Sequence, residues 1–286
     1  MIRVTDDGWE YEPDQRHADL IIQAMDLQEA KGVQTPYEEE KGFREEEEEA
    51  ELKPRGASEF RAAAARANYL ALDRPDIQYA VKEVCRGMAK PRKRDWRKLK
   101  RLARHLVSHP RTVLRYDWQE GQAGLDGFTD SDWAGCARTA KSTSGGVILV
   151  GSHCLKSWSA TQKSVTLSSG EAELVAAVKM STELLGLIQL ARDWGVKFSG
   201  RVLIDSSAAL AVVRRKGNGK LRHIRVGSLW VQQTEKNGDL AYTKVWGKRN
   251  PADLLTKGLG KAAIDQYTKQ VSQERRQGRA EESLQV

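Results

Sequence analysis

The sequence predicts a mixed α/β fold for the middle and C-terminal part of the chain, and three observations support it. Short apolar runs separated by turn residues occupy positions 113–158 and indicate antiparallel strands. A long helix, capped by Ser168 or Ser169, then extends to about Trp194. The wholly apolar run Val202-Leu203-Ile204 is typical of a central strand, and further helices and a strand follow it. This order predicts one sheet of mixed direction with helices on its faces.

The composition favours an intracellular, soluble chain with an anionic partner. The 286 residues include 40% hydrophobic residues and carry a net charge of +8, which favours nucleic acid as a partner over an acidic protein, although solubility alone is the alternative. The three cysteines are far apart, so neither a disulfide framework nor a zinc site is expected. We see no apolar run long enough to cross a bilayer and no secretory signal at the N-terminus, and therefore predict no membrane partner.

Shifts in composition divide the chain into five predicted segments. Residues 31–57 carry two runs of glutamate whose repulsion indicates a disordered acidic linker. The segments are an N-terminal piece (1–30), this linker (31–57), a basic helical segment (58–120), the α/β domain (121–267) and a disordered polar tail (268–286).

A basic helix is the strongest charge feature. Between Arg86 and Arg115 there are twelve Lys or Arg residues against one acid, Asp95, which can cap a helix. One face of this helix is apolar, and the other is cationic. We predict that the cationic face contacts phosphates rather than being merely solvated. Its contact residues are Arg97, Lys100, Arg101 and Arg104. His105 and His109 are expected to be a solvated pair.

Four acidic positions have the spacing of a metal site. Asp130 and Asp205 each end an apolar strand, and Asp253 begins a predicted final helix. Glu171 and Glu173 lie in the first turns of the long helix, and periodicity does not choose between them. If they converge, carboxylates at one edge of the sheet can hold Mg²⁺ ions for phosphodiester hydrolysis. Taken one at a time, each acid has a local alternative as a helix-dipole partner or a cap.

A loop rich in cationic and hydroxyl groups follows the first acid. The stretch 127–146 contains Asp130 and Asp132 and then a basic turn. Such groups can hold an anionic substrate beside a hard cation. The predicted substrate-side residues of this turn are Arg138, Lys141, Ser142, Thr143 and Ser144.

Several motifs carry a resemblance to a known family. GFTDSDWAG, the STSGG turn, WSATQKSVTLSSGEAEL, LIDSSAALAV, LRHI and NPADLLTKGL occur in this order. They resemble the ribonuclease H domain of copia-type retrotransposon polyproteins over roughly residues 121–267. Upstream, ANYLALDRPDIQYAVKEVCRGMAKP and VTDDGWEYEPDQRHADLI resemble the end of the reverse transcriptase of the same elements. The resemblance implies a ribonuclease H-like mixed five-stranded sheet flanked by helices, preceded by a mainly helical thumb- or connection-like segment and the acidic linker.

The resemblance also implies an activity and a site. It implies cleavage of the RNA strand of RNA–DNA hybrids with two Mg²⁺ ions, for which Mn²⁺ can substitute. The metal-binding and catalytic acids are then Asp130, Glu173, Asp205 and Asp253, which resolves the choice between Glu171 and Glu173. Asp132 and the STSGG hydroxyls become supporting or substrate-side residues, and His223 either contacts the hybrid or has a capping or packing role. The implied partners are the hybrid and the rest of a Pol polyprotein.

Departures from the family pattern define an alternative. The Tyr-x-Asp-Asp strand of the polymerase is absent, so we expect a truncated Pol protein without a polymerase site. Ser206 stands where the family has Asn, the motif Arg222-His223-Ile224-Arg225 replaces Lys-His-Ile-Asp, and the loop before Asp253 has no histidine. The alternative function is a catalytically silent, nucleic-acid-binding remnant of the same element.

Overall fold

The computed structural model describes residues 1–39, 49–121, 124–217, 219, 223–224, 226–280 and 283. The chain forms two compact units. Unit 1 comprises Met1–Asp117 and Gly258–Val286, and unit 2 comprises Trp118–Lys257.

In chain order the strands are β1 (Ile2–Thr5), β2 (Gly8–Tyr11), β3 (Arg111–Asp117), β4 (Gly124–Asp132), β5 (Thr143–Val150), β6 (His153–Thr161), β7 (Ser199–Ile204), β8 (Ala241–Lys244) and β9 (Gln273–Arg276). The helices are α1 (Arg16–Ala24), α2 (Pro54–Leu70), α3 (Gln78–Cys85), α4 (Lys93–Ser108), α5 (Ser169–Asp193), α6 (Ser207–Arg214), α7 (Trp230–Asn237) and α8 (Lys261–Gln270).

Unit 1 packs helices beside a four-stranded sheet of order β1-β2-β3-β9. Its core is formed by fully buried side chains of α1 to α4, among them Ile21, Phe60 and Leu99. Helix α4 begins where the side chain of Asp95 accepts a hydrogen bond from the backbone N–H of Arg92. The amphipathic helix is as predicted, but it begins at Lys93 with Arg92 at the N-cap, so Asp95 supports the helix start from its third position rather than as the N-cap.

Unit 2 is built on a mixed five-stranded sheet of order β6-β5-β4-β7-β8. Strands β4, β5 and β6 pair antiparallel, whereas β4, β7 and β8 pair parallel. Helix α5 packs its buried Leu174 and Met180 against this sheet. Gly127 of β4 permits the close approach, because a Cβ there would lie 2.4 Å from the Met180 sulfur. The predicted mixed sheet flanked by helices is therefore confirmed.

Helix α5 corrects one prediction. Its 25 residues are long and apolar enough to cross a membrane by length and composition, although the sequence was expected to contain no such run. The core helix of a soluble domain passes the same test, and α5 buries Leu174, Ala177 and Met180 in the core of unit 2. Its apolar stripe is therefore explained by packing on the sheet.

The segment boundaries also differ from those predicted. Helix α2 begins at Pro54, inside the predicted linker, and part of the linker packs on α4, where Val33 N–H donates to the Arg104 carbonyl at 3.1 Å. The remaining acidic run, residues 40–48, lies outside the described residues. Asp253 lies within a short 3₁₀ turn, Pro251–Leu255, rather than at the start of the final helix.

The C-terminal region belongs to unit 1. Helix α8 lies in unit 1, and the predicted tail contains β9, which pairs with β3. This strand is polar, so composition alone indicated disorder. Ion pairs stabilise it instead, from Arg275 to Asp265 at 2.5 Å and from Arg276 to Glu10 at 2.7 Å.

Candidate metal centre

Two neighbouring parallel strands bring the first pair of acids together. Thr129 of β4 pairs with Ile204 of β7, so Asp130 and Asp205 follow at the same end of adjacent strands. Asp130 is buried, and Asp205 is partly exposed. The apolar strand residues before each acid are buried in the core and hold both backbones in register.

Glu173 joins them from the first turns of α5. Its Oε1 accepts a hydrogen bond from the backbone N–H of Ser131 at 3.0 Å. Its Oε2 is buried and has no hydrogen-bond partner among the residues that the structure describes. One carboxylate oxygen from each of Asp130, Glu173 and Asp205 lies within 4.8 Å of the others.

The neighbouring glutamate has a different environment. Glu171 Oε2 accepts a hydrogen bond from the backbone N–H of Leu167 at 2.8 Å, and it lies 3.0 Å from His223 Nε2. Glu171 therefore supports the start of α5, whereas Glu173 points at the strand ends. This geometry favours Glu173 for the site.

Asp253 lies beside this cluster on the turn Pro251–Leu255. Asn250 attaches the turn to the sheet, because its Nδ2 donates to the Thr129 carbonyl at 2.9 Å. The hydroxyl of Thr256 donates to Asp130 Oδ2. Asp253 Oδ1 itself lies 2.9 Å from Lys257 Nζ.

The carboxylates of the cluster are buried close together and repel one another. Burial and the charge of Asp253 raise the pKa of Asp130 to about 7. Burial and the charge of Asp130 raise the pKa of Glu173 to about 9. Burial and Asp253 also raise the pKa of Asp205. Buried carboxylates that repel one another in this way are stabilised by a bound cation.

The structure corrects the expectation for the STSGG hydroxyls. Ser142, Thr143 and Ser144 are buried, although they were predicted to face the substrate. Ser142 Oγ accepts from the Ala134 backbone N–H at 3.0 Å, and Ser144 Oγ accepts from Gln162 Nε2 at 2.9 Å. They therefore stabilise the loop and the edge of the sheet. Asp132 has a similar role, since it accepts from the backbone N–H of Thr143.

The residues predicted to be cationic contacts differ in exposure. In unit 2, Arg138 is exposed and Lys141 is half-buried. On α4, Arg97 and Lys100 are exposed. Arg101 and Arg104 instead bind the segment before α2: Arg101 pairs with Glu38 at 2.5 Å, and Arg104 Nε donates to the Lys31 carbonyl at 2.9 Å.

Sequence reasoning missed three residues of the site, namely Asn250, Thr256 and Lys257. All three lie in the NPADLLTKGL motif, and the i, i+4 spacing of Asp253 and Lys257 is the available signal for that ion pair. The contacts of Asn250 and Thr256 cross from this motif to β4, so no local pattern indicates them.

Gly145, the first glycine of the STSGG motif, lets the Asp253 turn approach the sheet. A Cβ on Gly145 would lie 2.8 Å from the Ala252 carbonyl oxygen and 2.7 Å from a Thr256 methyl group. We expect Gly145→Ala to destabilise the protein by about 1–3 kcal/mol through overpacking and to weaken divalent-metal binding. Gly186→Ala is the control, because its Cβ would meet no atom of the described residues within 4 Å and helix α5 should gain about 0.5–1 kcal/mol. Denaturant unfolding measures the free energy of unfolding of both variants. Equal stability of the two would contradict the prediction.

A five-stranded mixed sheet with two carboxylates at the ends of its central strands and a third from helix α5 defines a ribonuclease H-like α/β protein. The chain is similar to retrovirus-related Pol polyproteins from copia-type transposons. No model of a known protein family matches it.

Two relatives illustrate the match. The Pol polyprotein of transposon RE2 from Arabidopsis thaliana is 28% identical over 217 residues, which are 75% of this chain and 15% of the relative. That of transposon TNT 1-94 from Nicotiana tabacum is 30% identical over 186 residues, which are 64% of this chain and 14% of the relative. The chain thus spans about a seventh of the length of these polyproteins. Among solved structures, LC11-RNase H1 from a compost metagenome has 18% identity and a TM-score of 0.36, covering 50% of this chain and 97% of that one.

Proposed function

We propose that unit 2 is a divalent-metal-dependent nuclease that hydrolyses the RNA strand of RNA–DNA hybrids. The observation that carries the proposal is the convergence of Asp130, Glu173 and Asp205 to within 4.8 Å. The three acids come from two strands and a helix that are far apart in the sequence. The similarity to Pol polyproteins of transposons supports the choice of substrate.

The residues fit a hard divalent cation. All donors are carboxylate oxygens, which Mg²⁺ prefers and Mn²⁺ accepts. The buried Glu173 Oε2, which has no partner among the described residues, is an acceptor of the required kind. We propose Asp130, Glu173 and Asp205 as ligands, with Asp253 beside them. A cation at this edge would supply charge stabilisation to a phosphate and lower the pKa of a water.

The surrounding groups orient the carboxylates. The Ser131 N–H holds Glu173, and the Thr256 hydroxyl holds Asp130. Asn250 attaches the Asp253 turn to β4. Because these partners fix side chains that would otherwise repel one another, the acids are preorganised for a cation before it binds.

Hybrid binding is proposed for the more exposed cationic groups and for Lys141. Arg138, Lys141 and His223 are the contacts expected in unit 2, and Arg97 and Lys100 those expected on α4. Arg101 and Arg104 reach a phosphate only if the segment at residues 31–38 releases them. The rest of a Pol polyprotein is proposed as a second partner.

Cleavage of a labelled RNA–DNA hybrid in Mg²⁺ or Mn²⁺ tests the proposal. We expect Asp130→Asn to reduce cleavage more than about a hundredfold, because it removes one of the three carboxylates proposed to hold the cation. Asp126→Asn is the matched control on the same strand. Asp126 pairs with the exposed Arg201 at 2.7 Å, a surface ion pair of small value, so its cleavage rate should stay near that of the parent protein.

Two outcomes would contradict the proposal. Salt-sensitive binding of hybrid without metal-dependent cleavage would instead support the silent nucleic-acid-binding remnant. Cleavage that survives Asp130→Asn would place the chemistry elsewhere.

A further inference from the structure

The four predicted acids divide into two groups. Asp130, Glu173 and Asp205 form the close cluster, with one oxygen of each within 4.8 Å of the others. Asp253 lies at its side, and its Oδ1 is 2.9 Å from Lys257 Nζ. The same ammonium group lies 4.0 Å from Asp130 Oδ2. A cationic side chain therefore stands between Asp253 and the three-carboxylate cluster.

The position of this ammonium group is set by the chain around it. Lys257 follows Asp253 by four residues and comes directly after Thr256, whose hydroxyl donates to Asp130. The turn that precedes both residues is attached to β4 through Asn250. The Lys257 side chain is 44% exposed, so it can move without unfolding the turn.

Two carboxylates face this ammonium group, with Asp253 Oδ1 at 2.9 Å and Asp130 Oδ2 at 4.0 Å. A second lysine near the acids, Lys244, has different hydrogen-bond partners. Lys244 Nζ donates to the backbone carbonyl of Asp205 and, at 2.9 Å, to Ser207 Oγ, so it binds the backbone after β7 rather than a carboxylate.

We propose that Lys257 is a positioning residue that takes the place of a second cation at this edge of the sheet. The protein without nucleic acid then binds one divalent ion, held by Asp130, Glu173 and Asp205. The ammonium group of Lys257 offsets the negative charge of Asp253. The inference rests on the proposed metal-dependent function. The second ion of the two-ion prediction has to displace this ammonium group, and the anionic oxygens of a bound phosphate would favour that exchange.

A Mn²⁺ titration of the full-length protein without nucleic acid tests this inference, with free Mn²⁺ followed by electron paramagnetic resonance. We expect one ion per chain for the parent protein and for Lys257→Arg, which keeps the charge. Lys257→Gln should bind a second ion, or bind the first at least about tenfold more tightly, because the substitution removes a like charge that lies 4.0 Å from Asp130 Oδ2. Lys197→Gln is the matched control. Lys197 precedes β7, whose other end leads to Asp205, so its titration should match that of the parent.

Each outcome decides one question. Two ions on the parent protein, or identical titrations of the parent and Lys257→Gln, would overturn the role of Lys257 and leave the nuclease proposal standing. No bound ion on any variant would overturn the proposed metal site itself. If Lys257→Gln does not fold, Lys257→Met, which keeps the aliphatic stem, provides the same comparison. Hybrid cleavage is a secondary readout, since a merely structural role of Lys257 would lower activity without changing the number of ions.

Discussion

Glu173→Gln should abolish metal-dependent cleavage, whereas Glu171→Gln should leave most of it. Both residues lie in the first turns of α5, and both substitutions remove one negative charge while keeping shape. Only Glu173 has a carboxylate oxygen within 4.8 Å of Asp130 and Asp205. We therefore expect a loss of more than about a hundredfold for Glu173→Gln and a change of less than about tenfold for Glu171→Gln.

The physical reason is the difference between the two environments. Glu173 Oε2 is buried without a partner among the described residues, so we expect the proposed cation to offset the desolvation of its ionised form. Glu171 has the Leu167 backbone N–H and His223 as partners, and its carboxylate supports the helix start. An amide at position 171 can still accept the hydrogen bond from the Leu167 backbone N–H, so we expect only a small loss of cleavage activity.

A stability measurement separates a site effect from misfolding. Without metal, Glu173→Gln should be as stable as the parent protein or more stable by about 1–2 kcal/mol at neutral pH, because it removes a carboxyl group whose pKa is raised to about 9 by burial and Asp130. Added Mn²⁺ should stabilise the parent protein but not the variant. Equal cleavage by the two variants, or loss of stability in Glu173→Gln, would contradict the assignment.

The sequence predicts the acidic cluster well because strand ends and helix starts are local features. An apolar run that ends in aspartate defines where a buried strand reaches the edge of the sheet, as at Asp130 and Asp205. The parallel pairing of β4 and β7 then brings them together. Periodicity could not choose between Glu171 and Glu173, because both lie in the same helical turns. That choice depends on the tertiary contact with Ser131.

Other features could not be predicted, because they depend on contacts between distant segments. In the sequence, the run of hydroxyl residues at positions 142–144 resembles an exposed anion-binding turn. In the structure, strand β5 pairs with β4 and β6, and this pairing buries the run. The polar strand β9 has no apolar alternation, and its order comes from pairing with β3. The i, i+4 histidines were expected to be solvated, yet His105 is fully buried. A one-dimensional pattern cannot identify its partner, which lies 29 residues earlier.

That partner is Asp76, and its replacement by asparagine should cause the largest loss of stability in unit 1. Asp76 is buried and accepts two hydrogen bonds from the guanidinium of Arg74, each at 2.8 Å. It also lies 3.5 Å from His105 Nε2 and accepts from Gln273 Nε2 at 2.6 Å. Asparagine leaves the buried Arg74 cation without its counter-charge. We expect a loss of about 3–5 kcal/mol.

The same network predicts how the stability of unit 1 depends on pH. Burial alone would raise the pKa of Asp76, but Arg74 and His105 hold it well below its usual range. Ionised Asp76 therefore contributes its full share to the free energy of unfolding above about pH 4. This contribution is lost as the pH falls through the lower pKa that Asp76 has in the folded protein. Burial lowers the pKa of His105. The unfolded chain accordingly takes up a proton at His105 below about pH 6.5 that the folded protein does not, and stability already begins to fall there.

Hydrogen exchange resolved by segment can measure these effects, because it separates unit 1 from unit 2 where a single unfolding curve would not. Asp76→Asn should lose protection in α3, α4 and β9 while the strands of unit 2 keep theirs. Glu59→Gln is the control: it breaks an exposed ion pair with Arg55 and should cost less than about 0.5 kcal/mol. Equal protection of Asp76→Asn and the control would mean that packing, rather than this buried ion pair, stabilises the C-terminal strand. The pH dependence is measured on the parent protein. If the hydrogen-exchange protection of unit 1 stays constant from pH 7 down to pH 4, His105 does not resist protonation in the folded state.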